Sequence, residues 1–201
     1  MECRLCGRTA DSFLCPSCRE ALQRESFASL YRQRCPVCGQ PVWDPAYGCR
    51  FCGRRQLVYG SLHGELRSLV MRYKFDNRRS LAPVLASLLE PLLAAIPGPY
   101  TLVPVPASEQ GRRRRGFDQS LELCRALHRP YQSLLSLDHK DRKSQKSLHG
   151  KQRREISFHL RKPRPDGVIV VVDDIMATGS TMQAAMDALG EPCYGIALCL
   201  A

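Results

Sequence analysis

Val168-Ile169-Val170-Val171-Val172-Asp173-Asp174-Ile175-Met176-Ala177-Thr178-Gly179-Ser180-Thr181 is the stretch on which the reading of this chain turns. Gly167 to Val172 is a short run dominated by β-branched residues, the composition of a fully buried strand. Two carboxylates follow it. Small and hydroxylated residues come next, and a helical pattern over Thr181 to Leu189 closes the unit. Open α/β sheets bind ligands beyond the carboxyl ends of their strands, so Asp173 and Asp174 stand where a site is expected. Small side chains at Ala177 to Thr181 let backbone N–H groups approach a phosphate, and the start of the helix favours an anion. The hydroxyls of Thr178, Ser180 and Thr181 add donors. Two adjacent carboxylates cannot both be buried unpaired; they need hydroxyls, a metal ion or cations beside them. A ribose diol next to a phosphate satisfies both halves of the string. Taken singly, Asp174, Thr178 or Ser180 would read as ordinary helix caps. The assembled string points to a site.

Outward from this unit, strands and helices alternate. Gly190 stops the helix, and Gly195 to Leu200 reads as a last strand. Upstream, Tyr100 to Pro106 is a short apolar run closed by prolines, a strand ending in a turn. Gly116 to Leu127 reads as a helix and Leu134 to Leu137 as a brief strand. Leu62 to Ile96 carries helical apolar spacing (Leu66, Leu69, Val70, Tyr73, then Leu81, Val84, Leu85, Leu88, Leu89, Leu92, Leu93), with a break near Asp76-Asn77 and Pro83 early in the second half. Residues 138 to 164 lack apolar periodicity and are expected to form a long exposed loop. Alternating strands and helices give the fold class: α/β, a parallel sheet flanked by helices.

The amino-terminal quarter is different. Of 11 cysteines, eight precede residue 53. They form four pairs, Cys3-x-x-Cys6, Cys15-x-x-Cys18, Cys35-x-x-Cys38 and Cys49-x-x-Cys52. Each pair makes a knuckle, two knuckles complete a tetrahedral four-sulfur site, and such closed sites are structural zinc sites. Gly7, Gly39 and Gly53 follow second cysteines, where a knuckle needs a permissive backbone. One or two zinc ions are expected. The ligands pair either sequentially (Cys3, Cys6, Cys15, Cys18, then Cys35, Cys38, Cys49, Cys52) or interleaved, first pair with third and second with fourth. Short spacers favour the sequential arrangement. A helix is expected from Arg19 to Tyr31, and Trp43 is expected to pack between the knuckles. The domain expectation is a Cys-rich module over residues 1–55 and an α/β domain over 56–201. Cys124, Cys193 and Cys199, in apolar contexts, read as core packing.

Composition sets outer limits. The chain has 201 residues, 44% hydrophobic and 24% charged, with a net charge of +11 and a pI near 9.3. That excludes a wholly disordered chain, a collagen and a coiled coil. No apolar run reaches the length of a membrane span, and Met1-Glu2-Cys3-Arg4 has no basic-then-apolar leader pattern. A cytoplasmic chain without membrane insertion is expected. The positive charge is concentrated at Arg112-Arg113-Arg114-Arg115 and over residues 138 to 164, with ten Lys/Arg against three Asp/Glu. Such runs are usually solvated surface. They would also serve to clamp pyrophosphate or to track a nucleic-acid backbone. The histidines show no ligand spacing.

Val170 to Met182 resembles the phosphoribosyl-pyrophosphate (PRPP) motif of the type I phosphoribosyltransferases. The chain as a whole resembles the ComF family of competence proteins. The amino-terminal cysteine pairs carry that resemblance, as do Met71-Arg72-Tyr73-Lys74-Phe75, Val103-Pro104-Val105-Pro106, Arg115-Gly116-Phe117-Asp118-Gln119-Ser120, the stretch Arg142 to Arg154 and the acidic motif. The resemblance implies that Asp173 and Asp174 hold the ribose hydroxyls. It implies that Ala177, Thr178, Gly179, Ser180 and Thr181 hold the 5′-phosphate, and that the turn Val105-Pro106-Ala107 approaches pyrophosphate. A flexible loop, here Arg142 to Arg154, would close over the site and bring Lys143 to the chemistry, with Gln145 in the same R-K-x-x-Q pattern. PRPP or a related phosphorylated ribose is the implied ligand, with Mg2+. Membership also implies work in DNA uptake, transformation or nucleotide metabolism, with single-stranded DNA and other competence proteins as partners. A non-catalytic competence factor with a vestigial site is the alternative. Two positions depart from the family pattern: Asp118 and Glu155 stand where Asn is usual.

Overall fold

A computed structural model describes residues 1–27, 49, 53, 55–137 and 156–201. Its elements in chain order are α1 (Pro16–Glu25), β1 (Gln56–Ser61), α2 (Gly64–Phe75), a 3-10 turn (Arg79–Leu81), α3 (Ala82–Ala94), β2 (Tyr100–Pro104), α4 (Glu109–Arg115), α5 (Gln119–Ala126), β3 (Leu135–Leu137), β4 (Phe158–Leu160), β5 (Val168–Met176), α6 (Ser180–Leu189) and β6 (Cys193–Leu200). Four strands form one sheet in the order β1-β6-β5-β2, and every pairing in it is parallel. β3 and β4 form a separate antiparallel ribbon. The parallel α/β architecture read from strand–helix alternation is present.

Helices cover both faces of the sheet, as a parallel sheet requires. One apolar cluster joins Val170, Val172, Ile196 and Leu198 of the sheet to Leu66, Leu69, Leu85, Leu89 and Leu123 of α2, α3 and α5. The other joins Ile169, Val171 and Ala197 to Met182, Ala185, Met186 and Leu189 of α6 and to Leu135 and Phe158 of the ribbon. The knuckle region belongs to the first cluster: Cys3, Leu14, Cys15, Cys18 and Leu22 share it with α2. Cys124, Cys193 and Cys199 are all buried, as their apolar contexts indicated.

The helix break expected near Asp76-Asn77 is where α2 ends and the 3-10 turn follows. Several bounds differ from expectation. β5 does not stop at Val172. It runs on through Asp173 and Asp174 to Met176, because β6 offers Ala197, Cys199 and Leu200 as partners in register. The acids therefore lie within β5, close to its carboxyl end, where they were expected. The expected exposed loop over 138–164 contains β4, which pairs with β3 through Phe158↔Leu137 and Leu160↔Leu135. α1 is described from Pro16, with its last helical residue Glu25. Residues 138–155 of the expected loop, including Lys143, Gln145 and Glu155, lie outside the described residues, as do Cys35, Cys38, Trp43 and Cys52.

Candidate functional site

Four segments meet at the carboxyl ends of β2 and β5. β2 pairs with β5 through Val103↔Val171 and Pro104↔Val172, and Val105 N–H donates to the Val172 carbonyl at 3.0 Å. The turn Val105-Pro106-Ala107 therefore leaves the sheet next to the strand end that carries Asp173 and Asp174. The Ser120 hydroxyl, in the first turn of α5, donates to Asp173 Oδ1 at 3.2 Å. α2 brings Lys74 from a hundred residues away: its Nζ lies 3.0 Å from each carboxylate oxygen of Asp174.

The acid pair is shaped by its own backbone as well. Asp173 Oδ1 accepts the N–H of Asp174 at 2.8 Å, and Asp174 Oδ1 accepts the N–H of Ile175 at 2.8 Å. Asp174 is buried and Asp173 half-buried. Burial and the neighbouring charge of Asp174 push the Asp173 carboxyl up to about 7, against the hydrogen bond from the Asp174 N–H, the Lys74 charge and the Ser120 hydroxyl. Each carboxylate is thus held in place, and Asp174 Oδ2 is sealed from solvent with no hydrogen bond of its own beyond the Lys74 ion pair.

Asp118 ties the turn to α5. It is the N-cap of α5, with Oδ1 accepting the Leu121 N–H at 3.2 Å, while Oδ2 accepts the Ala107 N–H at 2.9 Å. A carboxylate does both jobs at once, one oxygen for each donor. The adjoining α4 is capped by Ser108, whose side chain accepts the Gly111 N–H, and ends at Gly116 with φ +74. Of its four arginines, Arg112, Arg113 and Arg114 are exposed, and Arg115 is half-buried with Nε sealed from solvent. Arg115 folds back so that its guanidinium covers Gly111, beside the Ser108 hydroxyl.

Past Met176 the chain turns through Ala177 and Thr178 to Gly179, the N-cap of α6, with φ +71 and no side-chain cap. Thr178 and Ser180 do not act as caps here. Their hydroxyls bond to each other at 2.9 Å and stay exposed. With Gly179 at the cap, the first N–H groups of α6 have no side-chain acceptor, the arrangement that leaves a helix start open to an anion.

Residues 120–192 match the phosphoribosyl transferase domain family, a span that includes Ser120, both acids and the Ala177–Thr181 loop. Over 177 residues the chain is 32% identical to the DNA utilization protein YhgH of Salmonella typhi, covering 77% of this chain and 78% of that protein. Over 195 residues it is 24% identical to the competence protein ComFC of Bacillus subtilis, covering 90% of this chain and 79% of that one. The YhgH of Escherichia coli K12 is 28% identical over 188 residues, 84% of this chain and 80% of its own length.

The chain belongs to the ComF family.

A second centre of this ComF-family chain lies at its amino terminus. The sulfurs of Cys3, Cys6, Cys15 and Cys18 all lie within 4.8 Å of one another, and none forms a disulfide. Cys6 and Cys15 Sγ are 3.8 Å apart. Two ligands of a tetrahedral zinc with bonds of about 2.3 Å would be separated by about 3.8 Å, so the donor set fits a tetrahedral four-thiolate ion. This is the sequential grouping for the first two pairs. The knuckle turn is visible in the Gly7 N–H bond to the Cys3 carbonyl at 2.9 Å, with Gly7 at φ +78. Gly53 repeats it on Cys49, at 2.7 Å with φ +69. Burial pushes the Cys3 thiol up, but N–H donors at Cys6, Cys15 and Leu5 outweigh it and bring the thiol to about 6. The backbone and side chain of Arg8 lower Cys6. Cys18 moves up, through burial and three neighbouring thiols. Cys3, Cys15 and Cys18 are buried and Cys6 exposed, and a close set of thiols with such opposed acidities is relieved when a dication takes the charge.

Sequence alone assigns no role to three residues of the acid site: Lys74, Ser120 and Asp118. Each stood inside a motif that carried the family resemblance. Only the fold places them against Asp173, Asp174 and Ala107.

Proposed function

We propose that this chain binds PRPP, or a closely related phosphorylated ribose, with Mg2+, and serves DNA uptake or utilization. The observation that carries this reading is the acid pair, fixed by Ser120 and Lys74 at the strand end beside the Val105–Ala107 turn. Asp173 and Asp174 would accept the two ribose hydroxyls. The open start of α6, with Ala177, Thr178, Gly179, Ser180 and Thr181, would take the 5′-phosphate, and the Val105-Pro106-Ala107 turn would lie along pyrophosphate. Mg2+ would take most of its ligands from the oxygens of the ligand itself. In a transfer reaction, positive charge develops at ribose C1 as pyrophosphate leaves, and cations around the leaving group stabilise its departure. Lys143 and its loop remain the proposed closing element. The names of the relatives, DNA utilization and competence proteins, support the physiological half of the reading.

The test is calorimetric titration of PRPP, with and without Mg2+, into the wild type and an Asp173→Asn/Asp174→Asn variant. Binding that needs Mg2+ and is lost in the variant supports the assignment. Equal binding by both proteins removes it.

A second reading, a nucleic-acid-binding competence factor without turnover, is favoured by one surface. Phe75 is exposed, and the Arg114 guanidinium sits over its ring at 5.7 Å, beside exposed Arg112 and Arg113. An aromatic among arginines suits a single strand, whose bases stack and whose phosphates need cations. Retardation of single-stranded DNA over a salt series separates the readings. Binding that weakens with salt, in a protein indifferent to PRPP, favours the second. In the amino-terminal cluster, we propose structural zinc as the ion, with a second zinc at Cys35, Cys38, Cys49 and Cys52.

A further inference from the structure

We propose that Lys74 is the positioning residue of the acid pair, holding the Asp174 carboxylate beside Asp173 so that both remain available to a vicinal diol. The functional end of this inference rests on the ribose reading above; its structural end does not. Lys74 Nζ stands 3.0 Å from both oxygens of Asp174, and the two side chains are only 22% and 7% exposed. A lysine that straddles a buried carboxylate in this way is not a solvated surface charge.

Its placement is fixed from the far end of α2. Glu25 Oε1 and Oε2 accept the N–H groups of Glu65 and Leu66, at 3.0 and 2.9 Å, and so clamp the start of the helix. Near the other end, Arg72 reaches the Leu5 carbonyl at 3.4 Å. The Tyr73 hydroxyl donates to the Gln119 carbonyl at 2.8 Å, joining α2 to the start of α5, where Ser120 sits. Lys74 therefore arrives at Asp174 on a helix held at three points.

Among the described residues, the groups that face the pair come from α2, α5 and β6. α2 contributes Lys74 and Tyr73, α5 contributes Ser120, with Asp118 and Glu122 acting on Tyr73, and β6 contributes Cys199. Burial raises both the Tyr73 phenol and the Cys199 thiol, the latter to about 12, so both stay neutral. Among the described residues, Lys74 is the cation within hydrogen-bonding distance of the pair. Without it, the charge of Asp174 acts on Asp173 with less to oppose it, the Asp173 carboxyl keeps its proton to higher pH, and a protonated carboxyl offers one acceptor fewer to a diol.

The test begins without any ligand. Carbon-13 NMR titration of the Asp173 and Asp174 carboxyls compares wild type, Lys74→Met, Lys74→Gln and Lys74→Arg, each checked for a folded core by near-UV dichroism. Neutral variants are expected to raise the Asp173 midpoint by about one unit or more, and arginine to restore it. Two neutral substitutions are used so that failure of one to fold leaves the other to report. The second arm titrates PRPP with Mg2+. Loss of affinity in Lys74→Met should be about tenfold near neutral pH and should shrink as the pH rises through the raised Asp173 midpoint. Carboxyl midpoints unmoved in both neutral variants would overturn the proposal, as would a loss of affinity that is the same at every pH. If the midpoints move but wild type ignores PRPP, the ribose reading fails and the role of Lys74 stands.

Discussion

Asp173 carries an unusual burden for a carboxylate in a strand. Its carboxyl is pushed up to about 7 by burial and by the charge of Asp174, whereas in an unfolded chain it would titrate near about 3.9. The folded state therefore binds more protons than the unfolded state between those values. The contribution of Asp173 to stability is complete below about pH 4 and is lost as pH rises through about 7. Asp173→Asn, which carries no charge to bury, is expected to gain stability relative to wild type over that rise. Urea midpoints of the two proteins at stepped pH measure this; curves that stay parallel from acid to neutral pH would contradict it. Asp118 gives a second prediction. Asp118→Ala removes the α5 cap and frees the Ala107 N–H at once, for a loss of about 1–2 kcal/mol by the usual worth of a cap. Asp118→Asn keeps one acceptor oxygen and should recover part of that loss in thermal denaturation. The acids could be read from sequence because the string Asp173 to Thr181 has few other physical uses. Lys74 could not. A lysine in the last turn of a helix looks the same whether it faces solvent or a buried acid, and only tertiary folding brings position 74 to position 174.

Among the elements, α2 is the one through which the two ends of the molecule meet. Its start lies against Glu25, the last residue of α1, and a Cβ at Gly64, where φ is +49, would collide with the Glu25 carboxylate. Gly64→Ala therefore meets both backbone strain and a steric clash. Glu25→Gln keeps the size but gives up the charge on two helix-start bonds. We expect a loss of about 1 kcal/mol for Glu25→Gln and a larger loss for Gly64→Ala, both readable as shifts in the denaturation midpoint. A Gly64→Ala protein as stable as wild type would remove the clamp from the account. Elements with strong apolar patterns were visible in advance: α2, α3, the core of β5, α6 and β6. The missed ones share a physical cause. β1 has a glycine and a buried glutamine in six residues; Gln56 bonds to Gln183 at 3.0 Å, and Gly60 is required because a Cβ there would stand 2.7 Å from the Glu25 carbonyl. α4 has no apolar residue, so periodicity is silent, and only Ser108 before it and Gly116 after it mark its ends. β4 lies inside a basic run, and its buried Phe158 gains meaning only opposite Leu137. Pattern reports burial on one's own face; it does not report a partner strand elsewhere in the chain.

At the scale of the whole molecule, the cysteine knuckle and the sheet are not independent bodies in their packing. Leu14 and Leu22 lie in one cluster with Leu66, Leu69 and Leu85, and the Tyr59 hydroxyl of β1 donates to the Leu22 carbonyl at 3.0 Å. Ser26 pairs as a bridge with Gly60 on the outer side of β1, so the edge of the sheet is covered by the segment that follows α1. Whatever holds the four thiols together thus also holds one wall of the core, and through α2 the approach of Lys74 to Asp174. Removal of the proposed ion should be felt in both places. A Cys15→Ser/Cys18→Ser variant is expected to bind one metal ion fewer per chain and to melt at least about 10 °C lower, the shift that corresponds to about 3 kcal/mol at this size. Cys124→Ser is the control: its thiol is fully buried in the same cluster but belongs to no knuckle, so it should cost stability while leaving metal content unchanged. Metal analysis by mass spectrometry together with calorimetric melting distinguishes the two. Unchanged metal content in the double variant would show that these thiols are not the ligands. Metal loss with an unchanged melting temperature would show that the knuckle stabilises only itself, and the coupling from cysteine cluster to acid pair would have to be abandoned.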